Sequence, residues 1–125
     1  MNTLNGIKAE LSQFYGTNQY YKGLNGRAIY TDGIKELLNL AECYWLYDII
    51  QTEVFGALVT KTPDTFYLKL NKPADTNGMN LILEDWAGAV IWKKEIGLTT
   101  FPAGEMTLCC GFDGQHLITC LMSER

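Results

Sequence analysis

Histidine is nearly missing from this chain: His116 stands alone among 125 residues. That removes two-histidine metal motifs and most histidine-rich active sites. Serine is almost as scarce, with only Ser12 and Ser123, and no G-x-S-x-G occurs, which argues against serine hydrolysis of that type. No G-x-x-x-x-G-K-[ST] is present, and no G-x-G-x-x-G follows a strand, so no phosphate loop is on offer. Gly23 and Gly26, beside Lys22 and Arg27, read as turn formers rather than as an anion cradle. Concentrated positive charge is also lacking. The ten basic residues are scattered, no cluster exceeds Lys93-Lys94, and the net charge is −4. Duplex binding draws on several cations placed together, so nucleic acid is not an expected partner. No apolar run approaches the ~20 residues of a membrane span. The start, Met1 to Gly6, has neither the basic residues nor the apolar stretch of a signal peptide. The expectation is a cytoplasmic protein whose four cysteines (Cys43, Cys109, Cys110 and Cys120) are reduced thiols.

What is present supports one α+β domain over residues 1–125. Apolar residues make up 47% of the chain and charged residues 19%, enough to build a core without staples. The first half has helical rhythm. Ile7, Leu11 and Phe14 place a helix over about Leu4 to Phe14, closed by Tyr15-Gly16 with glycine as a left-handed cap. Thr17 to Arg27 is turn-rich, with a short extended piece around Gln19 to Lys22. Thr31 or Asp32 caps a second helix striped by Ile34, Leu37, Leu38 and Ala41. A third, or a continuation after a bend, runs from about Glu42 to Thr52 or beyond, with Cys43, Leu46, Tyr47, Ile49 and Ile50 on its apolar face. Tyr44, Asp48, Gln51 and Thr52 fall on the other side, and Trp45 on the boundary.

From Thr65 the period becomes two. Phe66, Leu68 and Leu70 alternate with polar residues, then Met79, Leu81 and Leu83, then Val90 and Trp92. Glu105 to Phe112 and Gln115 to Met122 form a hairpin about Asp113-Gly114. The predicted architecture is about three N-terminal helices packed on one face of an antiparallel meander sheet of roughly five strands. Its core comprises Leu11, Ile34, Leu38, Leu46, Ile50, Phe66, Leu68, Leu81, Leu83, Trp92, Leu108, Cys110, Leu117 and Leu121.

Three constellations carry chemistry. A turn centred on Asp113-Gly114 sets Gly111 opposite His116 and Cys109 opposite Ile118, and puts Cys109, His116 and Cys120 on one sheet face. They would be zinc ligands or a thiol–imidazole pair. Against this, a fourth ligand and a close-spaced ligand pair are missing, and strand cysteines commonly serve as small apolar fillers. Asp32 and Asp48 lie among aromatics, where burial would raise a carboxylate toward general-acid use. The plainer roles are a helix cap for Asp32 and a solvated position for Asp48. Aromatics are the third set: Tyr20, Tyr21, Tyr30, Tyr44 and Trp45, with Asp32 and Asp48 among them, make a candidate partner surface, because tyrosine and tryptophan are enriched at binding hot spots. The same hydroxyls also suit the rim of a core.

The run Leu11-Ser12-Gln13-Phe14-Tyr15-Gly16-Thr17, then Tyr20-Tyr21, Tyr30-Thr31-Asp32-Gly33 and Tyr44-Trp45-Leu46-Tyr47-Asp48-Ile49-Ile50, resembles an uncharacterised bacterial family, domain of unknown function 6876. The C-terminal hairpin departs from that pattern. The resemblance implies a small soluble protein of plasmids, prophages and other mobile elements, and it carries over no catalytic residue and no cofactor. The expected function is therefore a non-catalytic binding or regulatory protein. Its partner would be a host protein, as for an inhibitor of host defence, or a second copy of the chain. The alternative is a small enzyme or a ligand- or metal-binding domain using Asp32, Asp48 or the Cys109/His116/Cys120 face.

Overall fold

In a computed structural model describing residues 3–125, the chain is a mixed α+β fold built on a seven-stranded sheet. Helix α1 (Leu4–Leu11) starts at Thr3, whose hydroxyl accepts the Gly6 N–H at 3.1 Å. It stops three residues short of Phe14. Gly16 does not adopt the left-handed conformation that a glycine cap requires. Instead the Ser12 side chain donates to the Ala9 carbonyl, and Phe14 folds back as a partly buried contact.

Two short strands follow, β1 (Tyr20–Lys22) and β2 (Ala28–Thr31), paired antiparallel. Helix α2 (Asp32–Leu40) is capped by Thr31 and buries Ile34, Leu37 and Leu38, with Ala41 just beyond its end. Its C-terminus closes by the two bonds of a Schellman motif, Cys43 N–H to Leu38 O and Glu42 N–H to Asn39 O. The left-handed position of that motif is held by Glu42, with φ of 51°, where glycine is the usual occupant. Helix α3 (Tyr44–Ile49) then runs into a π-helical turn (Ile50–Val54) and a last α-helical turn, α4 (Phe55–Leu58).

The remaining strands are β3 (Asp64–Lys72), β4 (Met79–Glu84), β5 (Val90–Ile96), β6 (Gly104–Phe112) and β7 (Leu117–Leu121), before a 3₁₀ turn at Met122–Glu124. The strand order is β1-β2-β7-β6-β3-β4-β5. The sheet thus has seven strands rather than about five, and it is not a pure meander. Strand β2 lies parallel to β7, with Ala28 opposite Leu117 and Tyr30 opposite Thr119. The N-terminal third thus joins the sheet beside β7, where Ala28 is fully buried.

Alternate residues of the long strands, including Phe66, Leu68, Leu70, Leu81, Leu83, Leu108, Cys110 and Leu117, form one buried cluster with the apolar sides of the helices. Every expected core residue is in it except Trp92, which packs against it half-buried at the β5 edge. Lys94 on β5 reaches Glu53 of the π turn at 3.2 Å.

The hairpin turn is displaced by one residue from the expected position. Gly114, with φ of 97°, is the first of two central residues, so Gly114-Gln115 is the loop. The Asp113 carboxylate fixes this choice by accepting the Gln115 N–H at 2.8 Å and the His116 N–H at 2.6 Å. Phe112 therefore faces Leu117, Cys110 faces Thr119, and Cys109 faces Cys120 directly.

Candidate functional site

The tyrosines of the first half converge where β1 and β2 meet α2 and α3. Tyr21 stacks on Tyr30 with ring centroids 5.5 Å apart, and Tyr30 tilts against Tyr47 at 4.4 Å. The Lys35 ammonium caps the Tyr21 ring at 4.4 Å. Tyr47 is buried, and its hydroxyl donates to the Ala28 carbonyl while accepting the Gly23 N–H at 3.0 Å. Burial pushes the Tyr47 and Tyr30 phenols up, Tyr30 also feeling Tyr44.

Asp32 holds the loop before β1. One carboxylate oxygen accepts the Asn18 N–H at 2.9 Å and the other accepts the Tyr21 hydroxyl at 2.8 Å. These bonds, the Asn18 amide first, lower the Asp32 carboxyl below its ordinary value, and the Tyr21 phenol is correspondingly raised. A base held ionised is the opposite of a general acid. Asp32 accordingly acts as an anchor at the start of α2.

That anchor predicts a pH effect. A carboxyl whose pKa falls on folding contributes stability above its unfolded value of about 3.9 and loses it as pH drops through the lowered folded value. Asp32→Asn should flatten the fall in urea midpoint between about pH 5 and pH 2 relative to the parent chain. An unchanged slope would mean that the carboxylate gains nothing from the fold. Asp113, lowered by the His116 and Gln115 amides, is the comparison position.

Gln51 is the member that the helical wheel misplaced. Expected on the polar side, it is buried, because the Gly23–Asn25 loop lies over it. Its side-chain oxygen accepts the Asn25 N–H at 3.1 Å, its carbonyl accepts the Asn25 amide at 2.9 Å, and its own amide donates to Asp48. The signal was there: four residues at ~100° each put Gln51 only ~40° from Tyr47. Asp48 itself is exposed.

Other rings of the first half are exposed, and alternation along β1 points Tyr20 to the sheet face opposite Tyr21. Tyr20 on β1 is 57% exposed, Tyr44 at the start of α3 is 53% exposed, and Tyr15, beside the open groove at Asp32, is 79% exposed. Trp45 is not part of the group. It lines a separate groove with Ile49, Ile96 and Leu98, next to the β5 edge.

The cysteine face is also rearranged. Cys109 and Cys120 are opposite each other, but His116 sits in the turn beside Asp113, with Nδ1 3.8 Å from its carboxylate, four positions along the strand from Cys120. Among the described residues no group of three or more His, Cys, Asp or Glu is arranged to hold a metal ion. Nor is any described helix long and apolar enough to cross a membrane.

The family model described as "Family of unknown function (DUF6876)" matches residues 5–125. No curated protein matches the chain. Among solved structures, one described as "Crystal structure of the protein of unknown function from Enterococcus faecalis" aligns with a TM-score of 0.48 and 16% identity, covering 78% of this chain and 89% of that one.

Proposed function

The chain belongs to DUF6876, a family of unknown function, and from that premise we propose that it is a non-catalytic binding protein that takes a protein partner at its β1 edge. One observation carries this: Tyr15, Tyr20 and Tyr44 stand exposed where the loops on either side of β1 are already locked in place, the one before it by Asp32 and the one after it by Tyr47 and Gln51. Rings held on a rigid base bind at low entropic cost, and tyrosine combines apolar area with a polar tip. Strand β1 has three residues, too few for a partner to add a strand of useful length, so side chains would carry the contact. The partner would be a host protein, consistent with an element-borne regulator or defence inhibitor acting in the cytoplasm.

A photo-crosslinking residue placed at Tyr20 or Tyr44, expressed in the native host, tests this. A single major adduct is expected, lost from the Tyr20 probe in Tyr44→Ala and from the Tyr44 probe in Tyr20→Ala, and kept in Trp86→Ala, a change at an exposed aromatic on the opposite edge. The same adducts from both variants, or none from the parent chain, would refute it. An adduct to a second copy of the chain would replace the host partner with self-association.

A further inference from the structure

Cys109 and Cys120 lie outside the buried cluster that contains Cys43 and Cys110. On the sheet face away from the helices, Tyr67, Cys109 and Cys120 form one row, because Tyr67 pairs with Cys109 and Cys109 with Cys120. Residues directly opposite across antiparallel strands have Cα atoms about 4.5–5.5 Å apart. A disulfide spans about 4.4–6.8 Å between Cα atoms. Both thiols are free and leave the sheet on the same side.

The chain end folds over this row. Arg125 donates to the Tyr67 hydroxyl at 2.9 Å, and its guanidinium stands 5.5 Å from the Tyr67 ring centre. Cys109 and Cys120 are 4% and 9% exposed. Arg125 is itself exposed, so the guanidinium on this row borders solvent. The setting separates the two sulfurs. The neighbouring Cys120 thiol, with help from Arg125, pulls the Cys109 thiol below its ordinary value, whereas Cys109 and burial push Cys120 up. Burial pushes Cys43 and Cys110 up to about 12. The ionisable groups on this face are Cys120 on β7, Tyr67 on β3, Glu84 on β4 opposite Tyr67, and Glu124 and Arg125 of the C-terminal turn; Lys69, the ion-pair partner of Glu84, lies two positions further along β3.

We propose that Cys109 and Cys120 are a modification site for hydroperoxides, which close them into a cross-strand disulfide. The Cys109 thiolate attacks the peroxide, the O–O bond breaks, and hydroxide leaves from hydrogen peroxide, giving a sulfenic acid at Cys109. Cys120 sulfur then attacks the Cys109 sulfur. The S–O bond breaks, and water departs carrying the Cys120 proton. The hydroxide takes the proton that Cys109 lost on ionising. Two thiols give up two electrons and two protons, and one peroxide becomes two waters.

The test is hydrogen peroxide added to the folded, reduced full chain at pH 7, read by intact mass and peptide mapping. The expected product has lost two hydrogens and links Cys109 to Cys120 within one chain. Cys120→Ser should stop at a Cys109 sulfenic acid that dimedone traps. Arg125→Gln should move the midpoint of Cys109 alkylation by iodoacetamide to higher pH, with a rate at pH 7 lower by about fivefold or more, as expected when a thiolate loses its cation. Oxidation of Cys43 or Cys110 at the same rate as Cys109 would overturn the proposal. So would a product linked only between chains, or a folded chain inert to peroxide under conditions where the urea-unfolded chain reacts.

Discussion

Tyr47→Ala is expected to destabilise the fold by about 3–5 kcal/mol, the range for truncating a buried aromatic. Three elements meet on this side chain. Its ring supports Tyr30 of β2, and its hydroxyl bonds both the Ala28 carbonyl of β2 and the Gly23 N–H of the preceding loop. The loop is seated closely: a Cβ at Gly23 would lie 2.8 Å from the Tyr47 ring and 2.7 Å from the Gln51 side-chain oxygen. Tyr47→Phe keeps the ring and orphans a backbone donor and a backbone acceptor, which costs about 1–3 kcal/mol. Urea unfolding followed by tryptophan fluorescence separates these contributions. Equal losses in the two variants would place the whole effect in the hydroxyl. A loss below ~1 kcal/mol for alanine would show that the stack does not hold the β1–β2 hairpin to the sheet. Tyr47 is itself buried, so a loss of partner crosslinking at Tyr20 in Tyr47→Phe would report loosening of the platform rather than a missing contact.

The long elements were legible because each carries its own rhythm. Phe66, Leu68 and Leu70 alternate without interruption, as do Met79, Leu81 and Leu83, and each set faces the helices as a period of two requires. The start of α2 was equally plain, since Thr31 precedes the first apolar stripe and caps it. Strand β2 was not legible. Ala28–Thr31 is too short to show alternation, and its identity as a strand comes from a parallel neighbour almost ninety residues later, which no local window contains. The hairpin register failed for a subtler reason. Asp-Gly is a favoured turn pair, but Asp113 uses its side chain to bond two following amides, which moves the loop to Gly114-Gln115. Moving a two-residue loop by one position shifts strand pairing by two and leaves the faces unchanged. Cys109 and Cys120 therefore kept their shared face, exchanged diagonal separation for direct opposition, and left His116 in the turn. At the candidate surface the individual tyrosines were visible in sequence. Their division into buried platform and exposed rings was not, because the loop that covers Gln51 decides it, and the loop's bonds are long-range.

Glu124→Ala is expected to cost about 2–4 kcal/mol although the residue is one from the end of the chain, since three donors lose a charged acceptor together. One carboxylate oxygen accepts the Leu121 N–H at 2.9 Å and the Thr31 hydroxyl at 2.6 Å, and the other accepts the Gly33 N–H at 3.0 Å. The same group thus closes the C-terminal turn and satisfies one free amide at the start of α2, that of Gly33, where negative charge is also favoured by the helix dipole. Space for it depends on Gly33, where an added Cβ would sit 2.5 Å from the Glu124 carboxylate. Gly33→Ala should therefore be destabilising in the parent chain and less so in Glu124→Ala, with a coupling of about 1 kcal/mol or more in a double-mutant cycle. Glu124→Gln keeps one acceptor but turns an amide N–H₂ toward donors, and should fall between the parent and the alanine variant. The loss also has a chemical signature. With the turn released, Arg125 no longer lies over Tyr67, and Cys109 in Glu124→Ala should react with iodoacetamide at a pH above its midpoint faster than in the parent chain, because the chain end has left the row while the thiolate is already formed. A cost under ~0.5 kcal/mol with unchanged thiol reactivity would mean that the end of the chain is not docked by its glutamate.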